Sequence, residues 1–180
     1  AKYGRRDSSI DYGTNPCSEI ILRPKQFCNL SEVVIRAEDT PETLQRKVEL
    51  ATILGTIQSC FTDFKGLSRQ WMRNTEEERL LGVSLTGILD NKMMANQTND
   101  NLPALLSNLR LIAVNTNRKW SKHLGIEPSA AITCVKPSGT VSQLVDAASG
   151  IHPRHSEYYI RTVRADKKDP LTKFMTEKGF

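Results

Sequence analysis

The sequence lacks the features that mark several common classes of protein. No run reaches the roughly eighteen apolar residues that a membrane helix needs, and the first residues are polar rather than a signal region. We therefore expect a cytoplasmic protein without a membrane partner. The four cysteines form no CxxC pair, and the three histidines do not stand at zinc spacing with them, so neither a disulfide framework nor a metal site is expected.

The chain is also poor in aromatic residues, which make up 6% of it, and its formal net charge of +5 is modest. Lysines and arginines are scattered, with one denser region over residues 154–173 and no stripe of basic and aromatic side chains. A nucleic-acid-binding domain is an alternative that no motif supports, and strongly salt-dependent binding would be its signature. A protein that binds anionic small molecules fits this charge equally well.

The most informative segment is Asn-Pro-Cys-Ser-Glu-Ile at residues 15–20, followed by Phe-Cys-Asn-Leu at residues 27–30. Asn before Pro disfavours helix and marks a turn, so an extended segment is predicted to start at the cysteine. Side chains two apart in such a segment point the same way, and Asn15, Cys17 and Glu19 would then face one bound molecule. Amide, thiol and carboxylate can together orient a hydroxyl, abstract hydrogen and accept a proton. The pattern alone leaves open a buried thiol beside a solvated glutamate.

A second segment of chemical interest is Lys-Pro-Ser-Gly-Thr-Val-Ser-Gln at residues 136–143. It follows a predicted buried strand over residues 130–135 and leads into a predicted helix. Backbone N–H groups at a helix start, together with side-chain hydroxyls, suit an anion. The GxxxxGK pattern is absent, so this is not a Walker loop, and an ordinary helix cap is the competing interpretation.

Hydrophobic periodicity predicts a mixed α/β chain. Strands are predicted over residues 19–22, 28–35, 82–87 and 158–164, and helices over residues 41–60, over residues 102–123 and from about residue 168. Residues 67–79 are predicted to be a loop with a helical turn, and Cys60 is predicted to lie in the core. Strands that alternate with two long helices favour βα units and a mostly parallel sheet or barrel.

The two cysteine motifs closely resemble the finger-loop region of ribonucleotide reductases. The Asn-Pro-Cys form is similar to the adenosylcobalamin-dependent class, class II, and the continuation to Leu30 resembles its monomeric ribonucleoside-triphosphate branch. Three further segments resemble the family in its own order: Gly-Val-x-x-Thr-Gly at residues 82–87, Pro-Ser-Gly-Thr-Val-Ser at 137–142, and Gly-x-His-Pro-Arg with Tyr-Tyr-x-Arg at 150–161. The resemblance extends over about residues 12–172.

This resemblance implies roles for individual residues. The cysteine that carries the thiyl radical corresponds to Cys17, and one half of the reducing dithiol corresponds to Cys28. The residues that hold the ribose hydroxyls and act as acid and base correspond to Asn15 and Glu19. The substrate phosphates would be bound by Ser138, Gly139, Thr140 and Val141.

The family's catalytic domain is a ten-stranded α/β barrel with the radical cysteine on an internal finger loop. The resemblance implies that residues 1–180 are part of one such barrel, with the finger loop at about residues 12–30 and the phosphate-binding loop at about residues 136–143. It implies reduction of ribonucleoside triphosphates to 2′-deoxyribonucleotides, with adenosylcobalamin as cofactor. Thioredoxin or a similar dithiol and a missing N-terminal half of the barrel would be the partners, so we expect the chain alone to be incomplete.

Two other interpretations stay open. One is a segment of a diiron-dependent reductase large subunit, against which Pro16 argues. The other is a non-catalytic nucleotide-binding module, which would tolerate the loss of Cys17. The partner thiol of Cys28 is expected outside the chain, because neither Cys60 nor Cys134 has the motif that surrounds it in the family.

Overall fold

The computed structural model describes residues 6–96 and 100–180, which form a mixed α/β structure around a pair of parallel strands. The elements in chain order are β1 (Gly13–Thr14), β2 (Ile21–Leu22), β3 (Asn29–Val34), α1 (Pro41–Gln58), α2 (Arg69–Glu78), β4 (Leu81–Thr86), a 3-10 helix (Ile88–Asp90), α3 (Lys92–Ala95), α4 (Leu102–Leu124), α5 (Thr140–Leu144) and α6 (Pro170–Glu177). Within these ranges no helix has the length and apolar character needed to cross a bilayer.

Strands β3 and β4 pair in parallel with Asn29 opposite Leu81 and Glu32 opposite Ser84. On the far side of β4, the extended segment before α5 adds one parallel bridge, between Val83 and Thr133. Helix α1 connects β3 to β4 by way of α2, as a βα unit requires. The predicted parallel pairing is thus confirmed for these strands.

Helices α1 and α4 cover one face of the strand pair. Thr40 caps α1 by accepting from the Thr43 N–H, and Pro41 follows at the first helical position, as predicted. Helix α4 stops before Gly125, whose φ of +67° is left-handed and therefore favours glycine. The buried apolar core between helices and strands consists of Val33, Ile35, Leu44, Val48, Ala51, Val83, Met94, Leu109 and Ala113.

The other face of the strand pair, called the inner face below, carries the candidate site. Alternate residues of β3 and β4 point to opposite faces, so Leu30 and Glu32 face away from the helices that cover Val33. The antiparallel hairpin of β1 and β2 and the segment from Cys134 to Gly150 lie over this face. The inner face is therefore built from segments far apart in sequence.

The segment after α5 is anchored to the end of β4. The Thr86 hydroxyl donates to the Ala148 carbonyl at 3.0 Å and accepts from the Gly150 N–H at 2.8 Å. The Gly87 N–H also donates to the Ala148 carbonyl, at 2.7 Å. A Cβ on Gly87, whose φ is +76°, would lie 2.5 Å from the Ile35 carbonyl oxygen, so only glycine fits this turn.

Residues 67–79 contradict the sequence-based prediction of a loop, because they form helix α2. Its only strongly apolar side chains are Trp71 and Met72, too few to show a helical period. Trp71 stacks on Phe27 with ring centroids 4.6 Å apart, and Thr75 and Glu78 are buried. Tertiary contacts rather than an apolar stripe thus stabilise this helix.

Three other predictions were wrong. Residues 158–164 form no strand, and Ile160 is 99% exposed, since no neighbouring strand among the described residues pairs with them. Residues 130–135 do pair with β4, through one bridge and three backbone hydrogen bonds, but Val135 is exposed, so the segment is not the buried strand that was predicted. Cys60 follows α1 and is exposed rather than in the core.

A buried ionic cluster joins the hairpin to α2. The Glu78 side chain is 1% exposed, and its two carboxylate oxygens lie 3.0 Å from Arg6 Nη2 and 3.0 Å from Arg23 Nη2. The Gln26 amide donates to the same carboxylate at 2.7 Å. Arg6, Arg23 and Gln26 lie before β3 in sequence, so this cluster fixes the segment before β3 against α2.

We predict that Glu78→Gln destabilises the protein by about 3–5 kcal/mol, because it removes the buried negative charge that Arg6 and Arg23 share. Glu77→Gln is the matched control, since Glu77 pairs with Arg23 but is 59% exposed. Its loss should cost about 1 kcal/mol or less. Urea unfolding of both variants at pH 7 makes the comparison, and equal losses would refute the importance of burial.

The cluster also predicts a pH dependence of stability. Burial alone would raise the pKa of Glu78, but hydrogen bonds from Arg6 and Gln26 and the nearby positive charges outweigh it and hold the pKa below the usual 4.5. When a carboxyl group has a lower pKa in the folded state than in the unfolded state, its ionisation stabilises the fold at pH values above the unfolded-state pKa. This stabilisation is lost as the pH falls through the folded-state pKa. The stability gap between wild type and Glu78→Gln should therefore narrow below about pH 4.5. A gap that stays constant in urea titrations from pH 7 to pH 3 would contradict this.

Candidate functional site

Cys17 lies at the tip of the hairpin between β1 and β2 and is exposed. The turn predicted at Asn15 is confirmed: its carbonyl accepts from the Ser18 N–H at 2.9 Å, and its side-chain oxygen accepts from the Ile20 N–H at 3.1 Å. Ser18 has a φ of +63°, so the backbone reverses instead of extending. Cys17 is exposed whereas Glu19 is buried, so these two side chains do not share the expected direction, although Asn15 does hydrogen-bond to Glu19.

The Glu19 side chain points inward and is only 2% exposed. Its Oε1 lies 3.3 Å from Nζ of Lys136, which belongs to the segment before α5. Its Oε2 is buried and has no hydrogen-bond partner in the described part of the chain. Burial acts to raise the pKa of Glu19, but hydrogen bonds from Asn15, the backbone and Lys136 outweigh it and lower the pKa. The carboxylate is thus ionised at neutral pH and keeps one free acceptor oxygen.

Two partly buried thiols, Cys28 and Cys134, lie near this carboxylate. Burial, followed by the nearby Cys134, raises the pKa of Cys28 to about 12. Burial, followed by the charge of Glu19, raises the pKa of Cys134 to about 11. Both cysteines are free thiols, and at neutral pH both keep their protons. They are therefore suited to giving up hydrogen rather than to attacking as thiolates.

Gly82 on β4 makes this arrangement possible. A Cβ at this position would lie 2.4 Å from Cδ2 of Leu30, 3.1 Å from Sγ of Cys134 and 3.2 Å from Cδ1 of Ile20. Real Cβ atoms do not approach other atoms as closely as the first of these distances. The missing side chain thus leaves room for the hairpin and Cys134 to reach the sheet.

The predicted phosphate-binding loop forms the start of the short helix α5. The Ser138 side chain is buried: its hydroxyl donates to Glu32 Oε2 at 3.0 Å and accepts from the Ser142 N–H at 3.1 Å. Gly139, Thr140 and Val141 are exposed, and the first N–H groups of a helix lack intrahelical partners. Ser138 therefore braces the loop, and the three residues after it present the groups open to an anion.

Sequence reasoning missed Lys136, Glu32 and Ser84 on the inner face. Glu32 lies opposite Ser84 in the strand pair, and Glu32 Oε1 and the Ser84 hydroxyl are both buried without a partner among the described residues. Buried polar atoms normally have a hydrogen-bond partner, so these atoms mark a place for a ligand or water. The even spacing of four residues from Cys28 to Glu32, which places both on one face of an extended segment, was the available signal for Glu32.

The inner face as a whole can bind a polar, anionic small molecule. It offers an ionised carboxylate with a free oxygen, protonated thiols nearby and exposed N–H groups at a helix start. The described residues contain no group of three His, Cys, Asp or Glu side chains that could hold a metal ion.

Comparisons with known proteins give a consistent result, although no protein-family model matches the chain. The chain is 28% identical over 193 residues to the adenosylcobalamin-dependent ribonucleoside-triphosphate reductase of Lactobacillus acidophilus, which covers 93% of the chain and 25% of the relative. The enzyme of the same name from Lactobacillus leichmannii is 30% identical, with 93% of the chain and 26% of the relative covered. A probable enzyme of this kind from Dictyostelium discoideum is 30% identical, with 93% and 22% covered.

Among solved structures, the crystal structure of a B12-dependent, class II ribonucleotide reductase superposes with a TM-score of 0.63 at 27% sequence identity. The match covers 78% of this chain and 22% of that one. The chain thus spans about a quarter of the length of the curated relatives it matches. These similarities confirm the resemblance found in the motifs: the chain is homologous to one segment of the adenosylcobalamin-dependent ribonucleoside-triphosphate reductases.

Proposed function

We propose that this chain is the segment of an adenosylcobalamin-dependent ribonucleotide reductase that carries the radical thiol and the phosphate-binding loop. The reaction is the reduction of ribonucleoside triphosphates to 2′-deoxyribonucleotides. The observation that carries this proposal is the similarity of 28–30% over 93% of the chain to reductases of that name. The diiron-dependent and non-catalytic alternatives have no comparable support.

Each site residue takes one role in this reaction. The Cys17 sulfur, as a thiyl radical, abstracts the hydrogen atom from C3′ of the ribose. Glu19 accepts the proton of the 3′-hydroxyl, and the 2′-hydroxyl takes a proton from the reducing thiol pair and leaves as water. Asn15 holds the ribose hydroxyls. Cys28 and a second thiol from outside the chain supply two electrons and two protons and become a disulfide. The free Oε2 of Glu19 and the protonated Cys28 thiol support these roles.

The cofactor adenosylcobalamin supplies a radical when it is bound. Cys17 suits this chemistry because its thiol is exposed at a hairpin tip, where a group outside the chain can reach it. The hairpin is braced at its base by the cluster around Glu78, which limits the positions that the thiol can take.

The substrate phosphates would bind at Ser138, Gly139, Thr140 and Val141. The exposure of the last three residues at the start of α5 supports this, since N–H groups there attract anions. Ser138 fixes the loop, because its hydroxyl donates a hydrogen bond to Glu32. It also lies two residues after Lys136.

The rest of a ten-stranded barrel would complete the fold around the finger loop. The outer edge of β3 has no strand partner among the described residues. Leu54 and Ile57 on α1 and Phe61 just after it are exposed. An open strand edge beside apolar helix residues suits a further βα unit, which the missing N-terminal half of the barrel would supply. Thioredoxin or a similar cytoplasmic dithiol would then reduce the disulfide.

We predict that Cys17→Ser abolishes turnover in the complete gene product, because a serine hydroxyl holds its hydrogen too strongly to form the radical. The assay is anaerobic reduction of CTP with a dithiol, with and without adenosylcobalamin. Cys60→Ser is the matched control and should keep wild-type activity, since Cys60 is exposed just after α1. Activity that survives Cys17→Ser would refute the catalytic role, and turnover without the cofactor would assign another reductase class.

We also predict that the four thiols differ in reactivity. A pKa of about 12 instead of the usual 9.0 makes the thiolate of Cys28 about a thousandfold rarer at pH 8. Iodoacetamide should therefore label the exposed Cys17 and Cys60 at least about 100-fold faster than Cys28 and Cys134. In urea all four should react alike, and equal rates in the folded protein would contradict the burial of the two inner thiols.

A further inference from the structure

Lys136 occupies an unusual place between the two motifs of the site. Its Nζ lies 3.3 Å from Oε1 of Glu19, although the two residues are 117 positions apart. The Lys136 side chain is 27% exposed and the Glu19 side chain 2%, so the cation reaches solvent while the carboxylate does not. The phosphate-binding loop begins at this same lysine.

The backbone around Lys136 is held from two sides. Two residues later, the Ser138 hydroxyl donates to Glu32 on β3 at 3.0 Å. Behind it, the Lys136 carbonyl oxygen would lie 2.8 Å from a Cβ on Gly150, whose φ is +55°. The close approach of Gly150 and the contact with Glu32 leave the lysine little freedom to follow Glu19 if the carboxylate moves.

The charges around Glu19 make this lysine important. Burying a carboxylate costs free energy unless the charge is paired. The surrounding titratable thiols cannot supply a charge, because the pKa values of Cys28 and Cys134 are about 12 and 11 and both thiols are neutral. Asn15 contributes a hydrogen bond but no charge. Lys136 therefore supplies the positive charge that acts directly on this carboxylate.

We propose that Lys136 is a positioning residue for the reductase reaction: its ammonium fixes Oε1 of Glu19, so that Oε2 is presented to a ribose hydroxyl. This rests on the proposed function. The proton passes from the hydroxyl oxygen to Oε2, and Lys136 keeps its own protons throughout. The same lysine links the phosphate-binding loop to Glu19, so the positions of the triphosphate and the ribose are fixed relative to each other.

The first test measures the ion pair directly, without turnover. The ¹³C carboxyl resonance of Glu19, assigned by its absence in Glu19→Gln, is titrated in the complete gene product and in three variants of it. Lys136→Met should move the titration midpoint to higher pH, because the pKa of Glu19 rises when its cation is lost. Lys136→Arg should restore the midpoint towards wild type. Lys119→Met, which removes an exposed charge from α4, should leave it unchanged.

An unchanged midpoint in Lys136→Met would overturn the ion pair. The amide spectrum of each variant shows whether it is folded, and Lys136→Arg keeps the comparison informative if Lys136→Met unfolds. A loss of folding in both variants would assign Lys136 to stability and would also overturn the proposal.

The second test uses the complete gene product and the pH profile of kcat/KM for CTP. The acidic limb should move to higher pH in Lys136→Met and recover in Lys136→Arg, an effect that a merely structural role would not produce. If the wild type is active but the acidic limb of the kcat/KM profile does not move in Lys136→Met, the positioning role is refuted. An inactive wild type would instead refute the proposed function, while the carboxyl titration would still decide whether the ion pair exists.

Discussion

In the parallel pairing of β3 with β4, Glu32 lies opposite Ser84, and Leu30 lies opposite Gly82. A slip of one residue would turn these side chains towards α1 and α4 and bring the core residues to the inner face. The register is set by the core, because Val33 and Val83 pack against the two helices. The chemistry of the inner face thus depends on hydrophobic packing on the opposite side of the same strands.

Two buried carboxylates, Glu78 and Glu19, differ in how many of their oxygens are paired. Glu78 has both oxygens paired, with two arginines and a glutamine around it, and nothing is left for a ligand. Glu19 has one oxygen paired with Lys136 and the other unpartnered among the described residues. The first carboxylate stabilises the base of the hairpin, whereas the second keeps the acceptor capacity that a general base needs.

Much of the fold was predictable where local signals agreed. Helix α1 begins at the Thr40 cap, helix α4 ends before Gly125, and both carry a helical apolar period. Strand β4 lies within one residue of its predicted position. Helix α2 was missed because its stability comes from Trp71 stacking on Phe27, a contact between distant segments. The strand predicted over residues 158–164 failed for the converse reason, since an extended preference needs a partner to become a strand.

The motif residues of the site were likewise predictable, but their arrangement was not. A single left-handed residue, Ser18, separates the directions of Cys17 and Glu19, and sequence alternation cannot reveal it. Lys136 carries no signature of its own, and its contact with Glu19 arises only when the segment before α5 is folded across the inner face. Such long-range partners become visible only in three dimensions.

The high pKa of Cys28 also bears on how the protein survives oxidants. Peroxides attack thiolates much faster than thiols, and a thiol with a pKa of about 12 is almost entirely protonated in the cell. The Cys28 thiol is therefore shielded from conversion to a sulfenic acid. The burial that makes this thiol a poor nucleophile thus also protects it from oxidation.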